Sequence, residues 1–326
     1  LSQVAQVDQK IGISESDLAA IIQDYDALMI RSGTQVTGQI INSSKNLRII
    51  GRAGVGVDNV DVKAATQKGV LVVNSPGGNT IAAAEHTIAM MLALSRNIPI
   101  ANSSMFEGKW ERKKFVGNEL FKKKLGVVGL GKIGTHVAKV ANAMGMEVLG
   151  YDPFVSNERA QQLQVKLSEL DILFQDSDYV TLHLPRTVET ENLVDIKVLK
   201  SMKNTAKLIN CARGGIIDEE ALAEALNNSL IGGAAIDVYS EEPLNANSPL
   251  LKVEKNLILT PHLGASTKEA QENVAIDVAE QIRDVLLGLS ARTAVNIPGL
   301  SPDIMDSLKP HLQLAETLGL LISQLS

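Results

Sequence analysis

Residues 125–152 read LGVVGLGKIGTHVAKVANAMGMEVLGYD. Gly129, Gly131 and Gly134 stand there in a G-x-G-x-x-G pattern between two apolar runs, and an acid, Asp152, closes the second run. Glycines in such a pattern also serve ordinary turns. Here a strand-like run precedes them, a helical period follows, and the acid ends the next strand, which is the context dinucleotide binding demands. Gly129 permits the tight turn, Gly131 lets backbone approach a pyrophosphate, and Gly134 lets helix pack on strand. The helix N-terminus adds unpaired N–H groups and a positive dipole end. Asp152 accepts hydrogen bonds from the adenosine ribose and repels a 2′-phosphate, so NAD is expected rather than NADP.

Ligands of open α/β sheets bind beyond the carboxyl ends of the strands, so the residues just after each strand-like run are the next candidates. The run 179–184 ends in Leu184 and Pro185, and 206–210 leads into Cys211, Ala212 and Arg213. The run 234–238, which contains Asp237, is followed by Ser240-Glu241-Glu242-Pro243, and 256–260 by Pro261-His262-Leu263-Gly264. One arginine, a glutamate pair and one histidine therefore emerge on the edge that carries the glycine loop. Hydride exchange with a 2-hydroxy acid needs those groups. An arginine fork holds a carboxylate, a histidine takes or returns the hydroxyl proton, and a carboxylate beside the histidine orients it and raises its pKa. Taken singly, a strand-end arginine is more often a surface residue and a histidine after proline a turn residue; the shared edge favours the chemical reading. His86 in an apolar helix, His136 and His183 read as structural, and His311 lies in the polar tail. No cluster has metal-ligand spacing and no nucleophile elbow occurs, so no metal is expected.

Several elements must position these groups. Short β-branched runs alternate with helical periods nearly throughout, the signature of βαβ units and parallel sheets. Strands are expected at 27–30, 47–50, 70–73, 125–129, 147–151, 179–184, 206–210, 234–238 and 256–260. The segment TIAAAEHTIAMMLALSRNIP predicts one long buried helix that Pro99 helps to end, linking two domains. A second long helix at 267–289 places Val274, Val278, Ile282, Val285 and Leu289 on one stripe and leads back to the first domain. With 326 residues, two domains and a cleft are expected. A net charge of −6 argues against a nucleic-acid partner held by bulk charge. The single cysteine excludes an internal disulfide framework and suits a reducing cytoplasm. No run is long enough to span a bilayer, so no membrane partner is expected. The chain opens at Leu1-Ser2 without methionine, which reads as a fragment or a trimmed chain.

The motifs VVGLGKIG, LINCARGGIIDEEAL, GGAAIDVYSEEPL and LTPHLGAST, in this order and spacing, resemble the D-isomer-specific 2-hydroxyacid dehydrogenases. The likeness runs from about Asp26 to about Pro298 and is nearest to the branch that oxidises D-3-phosphoglycerate with NAD at the head of serine synthesis. The resemblance implies two doubly wound parallel-sheet domains, a Rossmann-type cofactor domain and a flavodoxin-like substrate domain, with a cleft between. Expected bounds are 1–75 with 265–297 for the substrate domain, 76–264 for the NAD domain, and 298–326 for the start of a truncated C-terminal extension. The resemblance also implies that Arg213 anchors the carboxylate, Glu242 partners the histidine and His262 is the acid/base. Cofactor contacts are implied at Val55, Lys132, Ile133, Asp152, Leu184, Pro185, Cys211, Arg213, Asp237, His262 and Gly264, beside the three glycines. Substrate contacts are implied at Arg31, Ser32, Arg52, Gly54, Val55, Asn79 and Arg213. The family forms dimers or tetramers, so residues 107–115, EGKWERKKF, read either as a solvated charge run or as an interface arm that buries Trp110. A hydroxypyruvate or glyoxylate reductase and an NAD-sensing corepressor share the same motifs and stay open. The first strand of the substrate domain and a serine-binding regulatory domain are expected to lie outside the chain.

Overall fold

The computed structural model describes residues 1–297 and 302–325. The chain divides into two compact units, one of residues 1–79 with 268–326 and one of residues 80–267. The expected extension over 298–326 falls partly outside the described residues; within it a helix, α12 (Pro302–Leu325), is described.

The first unit holds a parallel sheet ordered β1 (Ala27–Ile30), β2 (Ile49–Arg52), β3 (Leu71–Asn74). The second strand begins two residues later than its apolar run suggests, because its register pairs Ile49 with Ala27 and with Leu71. Helix α1 (Glu15–Ile21) precedes β1, and α2 (Gly38–Ser43) and α3 (Val62–Gln67) connect the strands in turn. Ser14 and Asp61 cap the first and third by accepting N–H groups of Asp17 and Ala64, each such cap contributing about 1 kcal/mol. Ile22, Ile40, Ile41, Ile50 and Val72 form the core beneath them. The returning helix α11 (Lys268–Leu286) lays Val278, Ile282 and Val285 on Ile49 and Val73. Gly51 makes that approach possible, since a Cβ there would lie 2.5 Å from Val278 Cγ1. Leu289 lies beyond the helix and is 60% exposed, so it does not join the expected stripe. Gln281, fully buried, donates to the Asn74 carbonyl and accepts from the Thr293 N–H and hydroxyl, so both ends of its amide are hydrogen-bonded.

In the second unit seven parallel strands are ordered β10-β9-β8-β7-β4-β5-β6. They are β4 (Lys124–Val128), β5 (Glu147–Tyr151), β6 (Lys166–Leu167), β7 (Tyr179–Leu182), β8 (Lys207–Asn210), β9 (Gly233–Ile236) and β10 (Leu257–Leu259). Read from the β6 edge this is the doubly wound order, with the switch point between β4 and β7. The two-residue β6 is too short to show a period in sequence. Helices α4 (Thr80–Ser95), α5 (Ile98–Phe106), α6 (Lys132–Ala143), α7 (Asn157–Gln162), α8 (Leu170–Asp176), α9 (Ile196–Ser201) and α10 (Glu219–Asn227) cover the sheet. The single long helix expected over 80–99 is two. Asn97 turns into the left-handed region at φ 56°, and Pro99 sits in the first turn of α5, where its missing N–H costs nothing. One core, with Leu173, Phe174, Leu182 and Leu208, lies on one face of the sheet, and Met91, Leu125, Val127 and Ile209 fill the other. Truncating any of these to Ala costs about 2–5 kcal/mol. Both faces are thus buried, as parallel strands require, and the polar strand ends are held in place.

Candidate active site

The glycine loop of the second unit follows β4 and ends at the N-terminus of α6, whose N-cap is Gly131. Gly129 has φ 95°, and a Cβ on it would lie 2.5 Å from the His183 carbonyl oxygen. A Cβ on Gly134 would lie 1.9 Å from the Gly129 carbonyl oxygen. Nothing stands within 4 Å of the corresponding point on Gly131. Two glycines are therefore required by the protein's own packing, while the middle one borders open space at the helix N-terminus, where a diphosphate has room. Asp152, after β5, accepts the Leu130 N–H at 2.8 Å and the Phe154 N–H at 2.9 Å. The acid so fixed leaves lone pairs for ribose hydroxyls. Lys132 is exposed and Ile133 half-buried in the first turn of α6, and Leu184 and Pro185 follow β7 on the same edge. This set fits a dinucleotide: a turn built around its glycines, an open helix end and an anchored acid.

The strand ends of β8, β9 and β10 bring the other groups together. His262 Nδ1 lies 2.6 Å from Glu242 Oε2, and Glu242 Oε1 accepts the Tyr239 N–H at 3.1 Å. The carboxylate is thereby oriented by one oxygen and orients the ring with the other. The Glu242 hydrogen bond is the largest influence on His262 and holds its pKa above the ordinary value, against burial and the positive charge of Arg213. Burial works to raise Glu242, but the hydrogen bonds from His262 and the Tyr239 N–H, with the histidine charge, hold it below the usual carboxylate value. Arg213, half-buried, donates from one guanidinium nitrogen to the Ala212 carbonyl at 2.6 Å.

Asp237 supports this arrangement and is fully buried. It accepts from Thr260 Oγ1, from the Leu263 N–H at 2.8 Å and from the Gly264 N–H at 2.8 Å. Those two amides follow His262, which adopts φ 54°, a left-handed conformation costing a non-glycine residue about 1–2 kcal/mol. The buried carboxylate so fixes the histidine loop from behind. Burial pushes Asp237 up, but hydrogen bonds from His86, Thr260 and the Leu263 amide outweigh it and keep the acid ionised. His86 Nε2 stands 3.2 Å from Asp237 Oδ1, so this histidine is a partner of the site rather than the packing residue its apolar helix suggests. Its only sequence signal is polarity inside that helix. Cys211 lies near both: ligand atoms of His86, Cys211 and Asp237 fall within 4.8 Å of one another, a cluster that sequence spacing does not show. Burial and the Asp237 charge push the Cys211 thiol up to about 12. His183, just past β7 rather than within it, is pushed down to about 4 by burial and is neutral at pH 7.

In the first unit, Arg31 and Ser32 follow β1 and are exposed, and Arg52 ends β2. Gly54 has φ 150°, and a Cβ there would lie 1.6 Å from an Arg52 guanidinium nitrogen, so the glycine is what lets the arginine fold over its own loop. Asn74 donates to the Val55 carbonyl. Asn59, unmarked in sequence, donates to the carbonyls of Arg31 at 2.9 Å and Thr34 at 2.6 Å and fixes the loop that carries Arg31. Asn79 Oδ1 is buried without a hydrogen-bond partner among the described residues, an acceptor that a ligand donor would satisfy.

Residues 88–264 match the family model described as D-isomer specific 2-hydroxyacid dehydrogenase, NAD binding domain. The chain is 63% identical over 326 residues to a D-3-phosphoglycerate dehydrogenase of Synechocystis, covering all of this chain and 58% of that one. It spans less than two-thirds of the length of the curated relatives it matches first. Among solved structures, the TT0316 protein of Thermus thermophilus superposes with a TM-score of 0.81 at 32% identity, over 89% of this chain and 92% of that one. An NAD-dependent formate dehydrogenase of Staphylococcus aureus in complex with NAD gives 0.74 at 33% identity, over 84% and 81%.

Proposed function

We propose that this chain, which belongs to the D-isomer specific 2-hydroxyacid dehydrogenase family and carries its NAD-binding domain, oxidises D-3-phosphoglycerate to 3-phosphohydroxypyruvate, the entry step of phosphorylated serine synthesis. The observation that carries the reading is the 2.6 Å pair of His262 and Glu242 on the strand-end edge that also holds the glycine loop and Arg213. The name of the Synechocystis relative supports the choice of substrate.

In this reading Gly129, Gly131, Lys132, Ile133 and Gly134 hold the diphosphate, and Asp152 the ribose. Leu184, Pro185, Cys211, Gly264 and Val55 line the remainder of the dinucleotide. NAD, when bound, supplies the hydride acceptor. Arg213 holds the substrate carboxylate in its planar fork and so fixes the carbon that gives up hydride. Neutral His262 takes the hydroxyl proton on Nε2, since Nδ1 faces Glu242, and the carboxylate stabilises the imidazolium that forms. Asp237, braced by His86 and Thr260, keeps the ring's loop from swinging. Arg31 and Arg52 are assigned to the substrate phosphate, with Ser32, Gly54, Val55 and Asn79 as further contacts. The reading includes a homodimer or homotetramer, supported by four exposed large apolar side chains within residues 106–121, Phe106, Trp110 (75% exposed), Val116 and Phe121, of the kind that assembly covers. No helix among the described residues is long and apolar enough to cross a membrane, and a cytoplasmic site of action fits the single cysteine.

A panel of 2-hydroxy and 2-oxo acids, phosphorylated and not, followed by NADH absorbance, tests the proposal. Preference for the phosphorylated three-carbon acid, lost in Arg31→Ala or Arg52→Ala, is expected. Equal or better turnover of hydroxypyruvate or glyoxylate would identify a reductase instead. NAD binding without turnover of any acid would point to a sensor.

A further inference from the structure

The edge of the seven-stranded sheet opposite the glycine loop, where β7 and β8 begin, opens on a cavity of about 440 Å³. Lys207, the first residue of β8, lines it and is only 8% exposed. A buried ammonium is costly unless an anion compensates it. Among the described residues Lys207 Nζ makes no ion pair. It donates to Asn118 Oδ1 at 3.2 Å and stands 5.5 Å from the centre of the Tyr179 ring. Burial, and then the charge of Lys123, lower its pKa. Lys123 also lines the cavity, as does Lys114, which is paired with Glu111 Oε1 at 2.7 Å, against one lining acid, Asp178. That acid is engaged elsewhere, by Lys203 Nζ at 2.8 Å and the Lys124 N–H at 2.9 Å. In a chain with a net charge of −6 the cavity is thus locally positive, and it is rimmed by the amides of Asn204 and Asn256. Asn118 offers its carbonyl oxygen to Lys207, which leaves its NH₂ as a donor.

We propose that this cavity is a binding site for a phosphate dianion, free or as a small phosphomonoester, with Lys207 as its buried counter-charge and Lys123 as its second cation. A dianion placed there supplies the acceptors that the ammonium lacks, and the amides donate to the remaining oxygens. The site lies at the end of the sheet away from His262, so it is separate from the substrate assignment made above. The rim includes the exposed apolar residues Ile100 and Val116, and Val116 is among those assigned to assembly above, so the protein is tested in its assembled form.

Thermal unfolding of the whole chain with saturating NAD is followed against inorganic phosphate and, separately, glycerol 3-phosphate, at constant ionic strength set with chloride. Lys207→Met keeps the stem and removes the charge, and Lys123→Met changes a cation at the cavity's half-buried rim. The wild type is expected to gain several degrees in a saturable way. Lys207→Met is expected to be at least as stable as wild type without phosphate and to lose the saturable part, with turnover at low phosphate within about twofold of wild type. A response to the inorganic ion alone would assign free phosphate, and a response to both the shared group. Lys123→Met is expected to weaken the response even if Lys207→Met does not fold. An identical phosphate response in wild type and in every variant that folds, or no saturable response in wild type, would overturn the proposal.

Discussion

Replacing Glu242 by Gln removes one charge and leaves the side-chain shape, so its effect can be worked from the geometry. Glu242 gives one oxygen to His262 Nδ1 at 2.6 Å and the other to the Tyr239 N–H at 3.1 Å. Glutamine has a single carbonyl oxygen, so its NH₂ must face one of two donors, an orientational conflict of about 1–3 kcal/mol. Unit charges at 4 Å interact by about 1 kcal/mol in water and about 4 at an effective dielectric of 20. The side chains of His262 and Glu242 are 47% and 38% exposed, so solvent screening keeps the loss near the lower end, about 1–2 kcal/mol. At 1.36 kcal/mol per pKa unit that is about one unit. His262 now titrates above its ordinary value of 6.5, and the variant should fall back toward it. In oxidation the ring must be neutral, so the low-pH limb of kcat/KM moves down by about one unit. In reduction the ring must be protonated, so the high-pH limb also moves down and activity at neutral pH suffers most. Maximal turnover should drop at least about tenfold from lost orientation. Progress curves of NADH absorbance in both directions, from pH 5 to 10, measure this; limbs that stay in place in both directions would refute the coupling of His262 to Glu242.

Gly134→Ala pushes a methyl to 1.9 Å from the Gly129 carbonyl. Overpacking of about 1–3 kcal/mol should lower the melting temperature by several degrees and weaken NAD binding more than tenfold in a fluorescence titration. Asp152→Ala removes the acceptor of two loop amides and the negative charge, so NAD affinity should fall about tenfold while the NAD-to-NADP preference narrows; an unchanged ratio would exclude Asp152 from the ribose. Asp237→Asn turns an NH₂ toward amide donors. It should cost about 1–3 kcal/mol at neutral pH and reduce turnover together with stability. Because the Asp237 pKa is depressed below 3.8, its contribution is complete above that pH and is lost as pH falls below it, so melting curves of wild type and variant should converge in acid. Asn59→Ala frees the loop carrying Arg31 and should raise KM for the phosphorylated acid with little change in kcat.

Local sterics and periodicity are written in neighbouring residues, and so the sequence by itself determined much of the frame. The alternation of runs specifies two kinds of βαβ region and the doubly wound class. The G-x-G-x-x-G loop specifies its turn in part, because the forbidden Cβ position at Gly134 lies against the Gly129 carbonyl within the loop, whereas that at Gly129 lies against His183, which only the sheet brings near. Arg213, Glu242 and His262 are marked as candidates by following strands. Boundaries were less legible. Pro99 reads as a helix end but begins α5, since proline is tolerated in a first turn as readily as it stops a last one. Leu289 shares the helical period yet falls beyond α11. Only tertiary structure could decide which distant residues meet. His86 on α4, Cys211 after β8 and Asp237 after β9 converge because sheet order, not chain order, sets their separation. Asn59 becomes the brace of the Arg31 loop for the same reason. Lys207 is an ordinary strand-opening lysine in sequence, and its burial depends on everything packed around the start of β8. Composition and period depend on the chain's neighbours along its length, whereas desolvation, charge coupling and ligand geometry depend on neighbours in space.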